Sequence, residues 1–575
     1  MQVITLFFLS FVSLGAFSST QIDIVKKRIE RPEEIQTSTS YQEEGNESPA
    51  TAFGYLDNLS DLTFDPNNIY SRKFGLYLRG SLPGQLKYEI DGENQVDPTS
   101  MHHEGRFDLF IPLPFTQIKI NKGPQTVLSS GGASAGVISL QTNDKINYIS
   151  FGVGSFQHTR FSSQLMAFNK LSARFAFEKR EGPSVYPSSD DQRAEDDRVS
   201  KINTQIKYQF NKNASVTIQA NRLKGSFDQF NKDDPLPEED YRQNKIIFRT
   251  KKLFPSLKTK VEGSLSGTEI SRRYVLSENS STSYDVLMAS GDLKANTVLE
   301  NNSYLNWGMS SNYSSFGGSS EITSDQKQNI WNLDLYGIYT NNSTKNLSWN
   351  VGPRLLFGNS GDNQIVAQVG IRYLNHFIKL SRGTRRPSFY ELYSMFGSPD
   401  LKNENTLGLE YVYKSGRFKF EGFLRQTNQF ISWNFKKNSY GNIDSVNTVG
   451  STLSFSKEGS KWDSETSLTL LYQREGESRK RIAGLNDVTV AQRFVRQMGK
   501  NLNLSVNFKG LFFRYGLNEE KLKYRWFANL SALVKIDQGE SLSIRAENLF
   551  QEKSTSLYPV EESGVNLIAT YTRSW

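Results

Sequence analysis

Apolar and polar side chains alternate, residue by residue, in segment after segment of this sequence. Leu171, Ala173, Phe175 and Phe177 interleave with Ser172, Arg174, Ala176 and Glu178. The pattern returns in Val216, Ile218 and Ala220 against Ser215, Thr217 and Gln219, and in Trp331, Leu333 and Leu335 against Asn332 and Asp334. It returns again in Leu502, Leu504, Val506 and Phe508 against asparagine and serine, and in Leu542, Ile544 and Ala546 against Ser543, Arg545 and Glu547. Successive side chains of a strand point to opposite faces, so each segment reads as a strand with one greasy face. A soluble sandwich and a membrane barrel both fit that pattern.

The links favour the barrel. Asn169-Lys170 and Asn211-Lys212-Asn213 are tight turns, whereas 181–201 and 224–243 are long, charged and proline-containing. Short turns on one side and long loops on the other are the rhythm of an outer-membrane barrel, and a sandwich has no reason to keep it. From about Asn147 to the end there is room for roughly 22 spanning strands of about ten residues, with links of similar length.

Val3 to Phe17 carries no charge and ends in Ala16-Phe17-Ser18, the small-residue pattern of a signal-peptide cleavage site, so 1–18 reads as a signal peptide. Beyond it no run approaches the eighteen apolar residues that a spanning helix requires. Aromatics make up 12% of the chain, too many for a wholly disordered polymer. There is no cysteine, and the only histidines are His102, His103, His158 and His376. Thiolate chemistry is therefore excluded, and no catalytic triad, carboxylate pair or nucleotide loop stands out, so an enzyme is not expected. The formal charge of +8 contains no run of five basic residues, which argues against nucleic acid.

Residues 30–50 are polar and rich in Glu, Ser and Thr, the composition of a tether, and 51–146 is punctuated by glycine turns. Within that stretch stand Leu78-Arg79-Gly80, Tyr88-Glu89-Ile90-Asp91-Gly92, Ile118 to Pro124 (IKINKGP) and Gly131 to Thr142. Farther on stand Arg386-Pro387-Ser388-Phe389-Tyr390-Glu391-Leu392-Tyr393, then Ser398 to Glu404 and Glu410; Glu547-Asn548-Leu549-Phe550 and a terminal Trp575 close the chain. In this order and spacing the motifs resemble the TonB-dependent outer-membrane receptors across nearly the whole mature sequence. Departures are Lys119 where the family usually has an acid, Ser129-Ser130 for an aromatic-Gly pair, and Asn403 for a proline.

The resemblance implies an all-β transmembrane β-barrel of about 22 antiparallel strands with an N-terminal α+β plug domain inside the lumen. The expected division is 1–18 signal peptide, 19–47 tether, 48–146 plug and 147–575 barrel, located in the outer membrane. Ile22-Asp23-Ile24-Val25 resembles a TonB box, an extended segment that would add a strand to the sheet edge of a TonB-type periplasmic energy-transducing protein. Arg79, Gly80, Asp91, Gly92, Lys122, Gly123 and Pro124 form the expected plug signature. The implied activity is energised uptake of a scarce bulky ligand, a ferric siderophore or a cobalamin-like molecule, with no bound cofactor. The alternative is a passive or ligand-gated pore that has lost coupling. Acidic residues crowd two outer loops (Asp190, Asp191, Glu195, Asp196, Asp197; Asp233, Asp234, Glu238, Glu239, Asp240) without the fixed spacing of a calcium loop, and read as solvated. Arg382, Arg385 and Arg386 read as packing residues before they read as an anion site.

Overall fold

In the computed structural model the alternating segments close on themselves. The structure describes residues 38–42 and most of 54–575; residues 1–37, 43–53, 65–75, 101–109, 183–196, 229–237 and 551–564, with a few shorter stretches in other loops, lie outside the described residues. From Tyr148–Gly154 to Asn566–Ser574 each strand pairs antiparallel with the next. The last pairs back onto the first, in a register running from Ile568↔Gly154 to Ser574↔Tyr148. The result is the expected closed barrel of 22 antiparallel strands, with the two-residue Lys521–Leu522 as an accessory pairing. Closure leaves no unpaired sheet edge, which is what lets a sheet sit in a lipid bilayer.

The alternation is read inside out. Ile218 is 52% exposed, Trp331 47% and Ile544 45% on the outer wall, while Gln219, Asp334 and Arg545 are buried on the lumenal side. The greasy face is thus the lipid face. The chain enters and leaves the barrel at one rim, where the Trp575 N–H donates to the Asn147 carbonyl at 3.1 Å. The turns at 168–170 and 212–213 lie at that rim; in the first, Phe168 and Asn169 both have φ of 53°, a left-handed pair closed by the Lys170 N–H on the Ala167 carbonyl at 3.1 Å. Among the described residues no helix is long and apolar enough to cross a membrane.

The residues before Tyr148 form a body inside the barrel. Strands β1 (Ser38–Gln42), β6 (Thr116–Lys122), β7 (Gly136–Thr142), β4 (Leu86–Ile90) and β5 (Glu93–Asn94) make one sheet in that order; β2 (Leu62–Phe64) and β3 (Leu76–Leu78) make a second. β4 and β7 run parallel, β6 and β7 antiparallel. Leu62, Leu78, Leu86, Ile120, Ile138 and Leu140 form its core, which extends onto Leu511 and Phe527 of the wall. Side chains from strands all round the ring reach it: Arg174, Lys245, Arg272, Arg354, Glu410, Gln473 and Arg545. Among the described residues of this body the helical structure is of the 3-10 kind, as in the turn Pro83–Gln85. Pro83 and Gly84 suit a turn and are poor helix formers.

The barrel motif beginning at Arg386 builds one short outer helix, α1 (Phe389–Tyr393). Ser388 caps it: its Oγ accepts from the Glu391 N–H at 3.0 Å, and the Glu391 carboxylate accepts from the Ser388 N–H at 2.8 Å. This reciprocal pair is a capping box, and Arg385 fastens it to the wall by donating to both Glu391 oxygens, at 2.9 and 3.1 Å.

Candidate functional site

Arg79, Gly80, Asp91 and Gly92 occupy two tight turns. Arg79 and Gly80 have φ of 51° and 72°, and the Ser81 N–H closes the turn onto the Leu78 carbonyl at 3.0 Å. Asp91 and Gly92, at 51° and 84°, join β4 to β5. The Asp91 carboxylate then takes the Thr142 N–H at 2.8 Å and meets Arg174 of the wall at 3.1 Å, so one turn residue ties two inner strands to the barrel. Gly123 has φ of 71°, and a Cβ there would collide with the Glu410 carboxylate; the backbone must come this close to the wall. Pro124 lies against the bare faces of Gly383 and Gly408.

Arg79 and Lys122 converge on a buried cluster. Arg79 donates to Glu410 at 3.3 Å and to Glu421 at 3.1 Å, and its Nε lies 3.4 Å from Asp61. Lys122 reaches Asp61 at 2.5 Å and Glu421 at 2.9 Å. From the wall, Lys379 lies 3.8 Å from Glu410 and Lys419 3.2 Å from Glu421, while Arg425 donates to the Arg79 carbonyl at 3.1 Å. The Arg79 guanidinium also stacks 4.5 Å over the Phe423 ring. Burial alone would raise the Asp61 carboxyl, but Lys122 and then Arg79 outweigh it and hold it below its ordinary value. Burial would likewise lower both cations, yet Glu421, Glu410 and Asp61 hold Arg79 above its ordinary value, and Asp61 and Glu421 do the same for Lys122. Asp61, Arg79 and Lys122 stay charged because the others are there, and none of the three can leave alone without stranding a partner.

Further contacts ring the body. Gln85 donates to Glu404 at 2.9 Å, Arg249 meets Glu93 at 3.2 Å, and Lys245 donates to the Asn94 carbonyl at 2.7 Å. At the outer end, Arg272 bonds Asp97 and the Thr99 carbonyl, each at 2.6 Å. Between the Glu93–Pro98 region and the wall strands Thr259–Ser277 to Thr323–Asn341 lies a chamber of ≈ 130 Å³, lined by Ser266, Ser290, Ser310, Asn312, Asn332 and Phe389 among others. Hydroxyls and carboxamides there can hydrogen-bond a polar guest.

The structure thus gathers Arg79, Gly123 and Lys122 at one point, with Asp91 and Gly92 at another, and it leaves Ile22, Asp23, Ile24 and Val25 outside the described residues. Arg385 pairs with Glu391 and Glu404, Arg386 with Asp334, and Arg382 with Asn405. Asp61, Glu421 and the Arg272–Asp97 pair escaped the reading of the sequence. Glu421 and Arg272 are inward members of alternating strands and look like every other polar one; nothing local marks Asp61.

Residues 137–557 match the family described as TonB dependent receptor-like, beta-barrel. The copper transporter OprC superposes with a TM-score of 0.77 at 14% identity, covering 94% of this chain and 99% of that one. The siderophore receptor PirA from Acinetobacter baumannii does so at 0.75 and 12%, covering 97% and 100%. A mutant of the ferric enterobactin receptor PfeA from Pseudomonas aeruginosa reaches 0.78 at 12%, covering 95% and 99%. At these identities the likeness is one of fold. No curated protein matches the chain.

Proposed function

The chain belongs to the TonB-dependent receptors, β-barrels of the outer membrane, and from that premise we propose that it imports a scarce, bulky ligand by energy-coupled displacement of its inner body. In this reading 1–18 is a signal peptide, 19–47 a tether, 48–146 the plug and 147–575 the barrel. Ile22 to Val25 is the strand that a TonB-type partner grips from the periplasm. The observation that carries the reading is the buried cluster of Arg79, Lys122 and Asp61 with Glu410 and Glu421. It fixes a lumen-filling body to the wall through ions that hold well at rest, yet need only water and a small displacement to separate.

The cargo is a metal chelate, either a ferric siderophore or a cobalamin-like molecule. Its support is the metal or siderophore uptake named for the structural neighbours. The test is induction followed by uptake. Cells starved separately of iron and of cobalamin should raise the protein in one case, and cells lacking it should then fail to accumulate the matching radiolabelled ligand. Undiminished accumulation of both ligands would sink the assignment of cargo.

A further inference from the structure

On the lipid side of the rim with short turns, one sector of the barrel carries cations and aromatic rings interleaved. Phe418 and Phe455 stand directly opposite each other across neighbouring strands, as do Trp462 and Arg496. Phe418, Phe455, Trp462 and Met498 are exposed large apolar side chains, and Lys457 and Arg496 continue the same outward alternation as Phe455 and Phe494. Arg417 and Lys500 occupy the adjoining turns, both exposed, and the Arg417 carbonyl accepts from the Ser456 N–H at 2.9 Å, which draws two of the turns together. The Arg496 guanidinium lies 4.6 Å over the Trp462 ring. The acids nearby are Glu458, exposed at a turn, and Asp463 and Glu465, which alternate with the outward Trp462 in its strand and so face the lumen; Asp463 accepts from the Gly459 N–H at 3.1 Å.

Exposed aromatic rings at a barrel rim sit at the depth of the lipid headgroups. A cation stacked on such a ring is held at that depth, and only its open side remains for an anion. Lys457 and Arg496 belong to strands two apart, about 10 Å across the sheet, a span that two long side chains can close around one phosphate. The planar Arg donors match two phosphate oxygens at once.

We infer that the sector formed by Arg417, Phe418, Lys457, Trp462, Arg496 and Lys500 is a docking site for an anionic phospholipid of the periplasmic leaflet, its phosphate between Lys457 and Arg496 and its acyl chains along Phe455 and Phe494. The site faces away from the lumen and is independent of what the barrel transports.

The full chain, reconstituted in vesicles of phosphatidylcholine with and without phosphatidylglycerol, tests this by native mass spectrometry after detergent release. Parent protein should retain phosphatidylglycerol in preference to phosphatidylcholine. A basic residue near a charged bilayer is worth about fivefold in affinity, so Lys457→Gln with Arg496→Gln should lower retention roughly 25-fold. Lys224→Gln with Arg273→Gln removes the same charge from outward positions toward the other rim and should retain the lipid like the parent. Heat-modifiable migration on gels establishes that both variants are folded barrels. No preference for phosphatidylglycerol in the parent, or equal loss in the two double variants, overturns the inference. So does unchanged retention in Lys457→Gln with Arg496→Gln, the result expected if this face instead meets an acidic periplasmic protein.

Discussion

Arg79 shows how one side chain can bind two bodies: its three carboxylate partners come from the inner body (Asp61) and from two barrel strands (Glu410, Glu421). Arg79→Gln keeps much of the bulk and strands buried anions, a change that costs about 3–5 kcal/mol when a buried pair is broken. Hydrogen exchange should therefore show the inner body loosened while the barrel stays protected. Adding Glu421→Gln removes part of the stranded charge, so the double variant should lose less than the sum of the two single losses, by about 0.5–3 kcal/mol. Strict additivity would contradict the shared cluster. Glu89 gives a test by pH. Burial pushes its carboxyl up, but Lys87, Lys294 and the Ser129 hydroxyl pull it down from 4.5 to about 2. The unfolded carboxyl takes up protons that the folded one refuses, so its stabilisation is complete above pH 4.5 and is lost as pH falls toward 2. Exchange protection of β4 and β7 should be flat from neutral pH to about 4.5 and then decline, and Glu89→Gln should flatten that decline.

Elements in this protein are set by local pattern, and their partners are not. The apolar residues of 171–177, 216–220, 331–335, 502–508 and 542–546 all fall on barrel strands, because a period of two survives any choice of neighbour. Ser388-x-x-Glu391 forms its capping box within a single turn, from residues three apart. The ion cluster was only half legible. Arg79 and Lys122 stand in recognisable motifs, but Arg79 meets Glu410 and Glu421 at separations of 331 and 342 residues, and nothing local distinguishes Glu421 from the other inward acids. The chamber was illegible for a similar reason: it exists because small inward residues of four neighbouring strands coincide in height. The Asp91-Gly92 turn is legible and testable. Gly92 has φ of 84° with nothing within 4 Å of where a Cβ would stand, so only the backbone objects to substitution. Gly92→Val should cost the inner body about 1–2 kcal/mol and Gly92→Asn less, since asparagine tolerates left-handed angles. Thermal midpoints of inner-body exchange protection check the order, and equal loss in both would count against a backbone origin.

At the scale of the molecule, an apolar outer band and a polar lumen make an inside-out protein, and the lumen is filled by a body tied to the wall on every side. In the proposed uptake, a pathway for a bulky ligand requires that body to shift under work from outside the barrel. The proposed point of force is Ile22 to Val25. Val25→Pro removes a backbone donor and fixes an angle that disfavours strand pairing, while Val25→Ile keeps both donor and β-branched shape. The decisive measurement is accumulation of the radiolabelled ligand by cells carrying parent, Val25→Ile or Val25→Pro protein at equal outer-membrane abundance, alongside surface binding of the same ligand. Energised uptake predicts that all three bind, that parent and Val25→Ile accumulate alike, and that accumulation by Val25→Pro collapses. Equal accumulation by Val25→Pro and parent would contradict the account and identify the barrel as a pore that works without coupling.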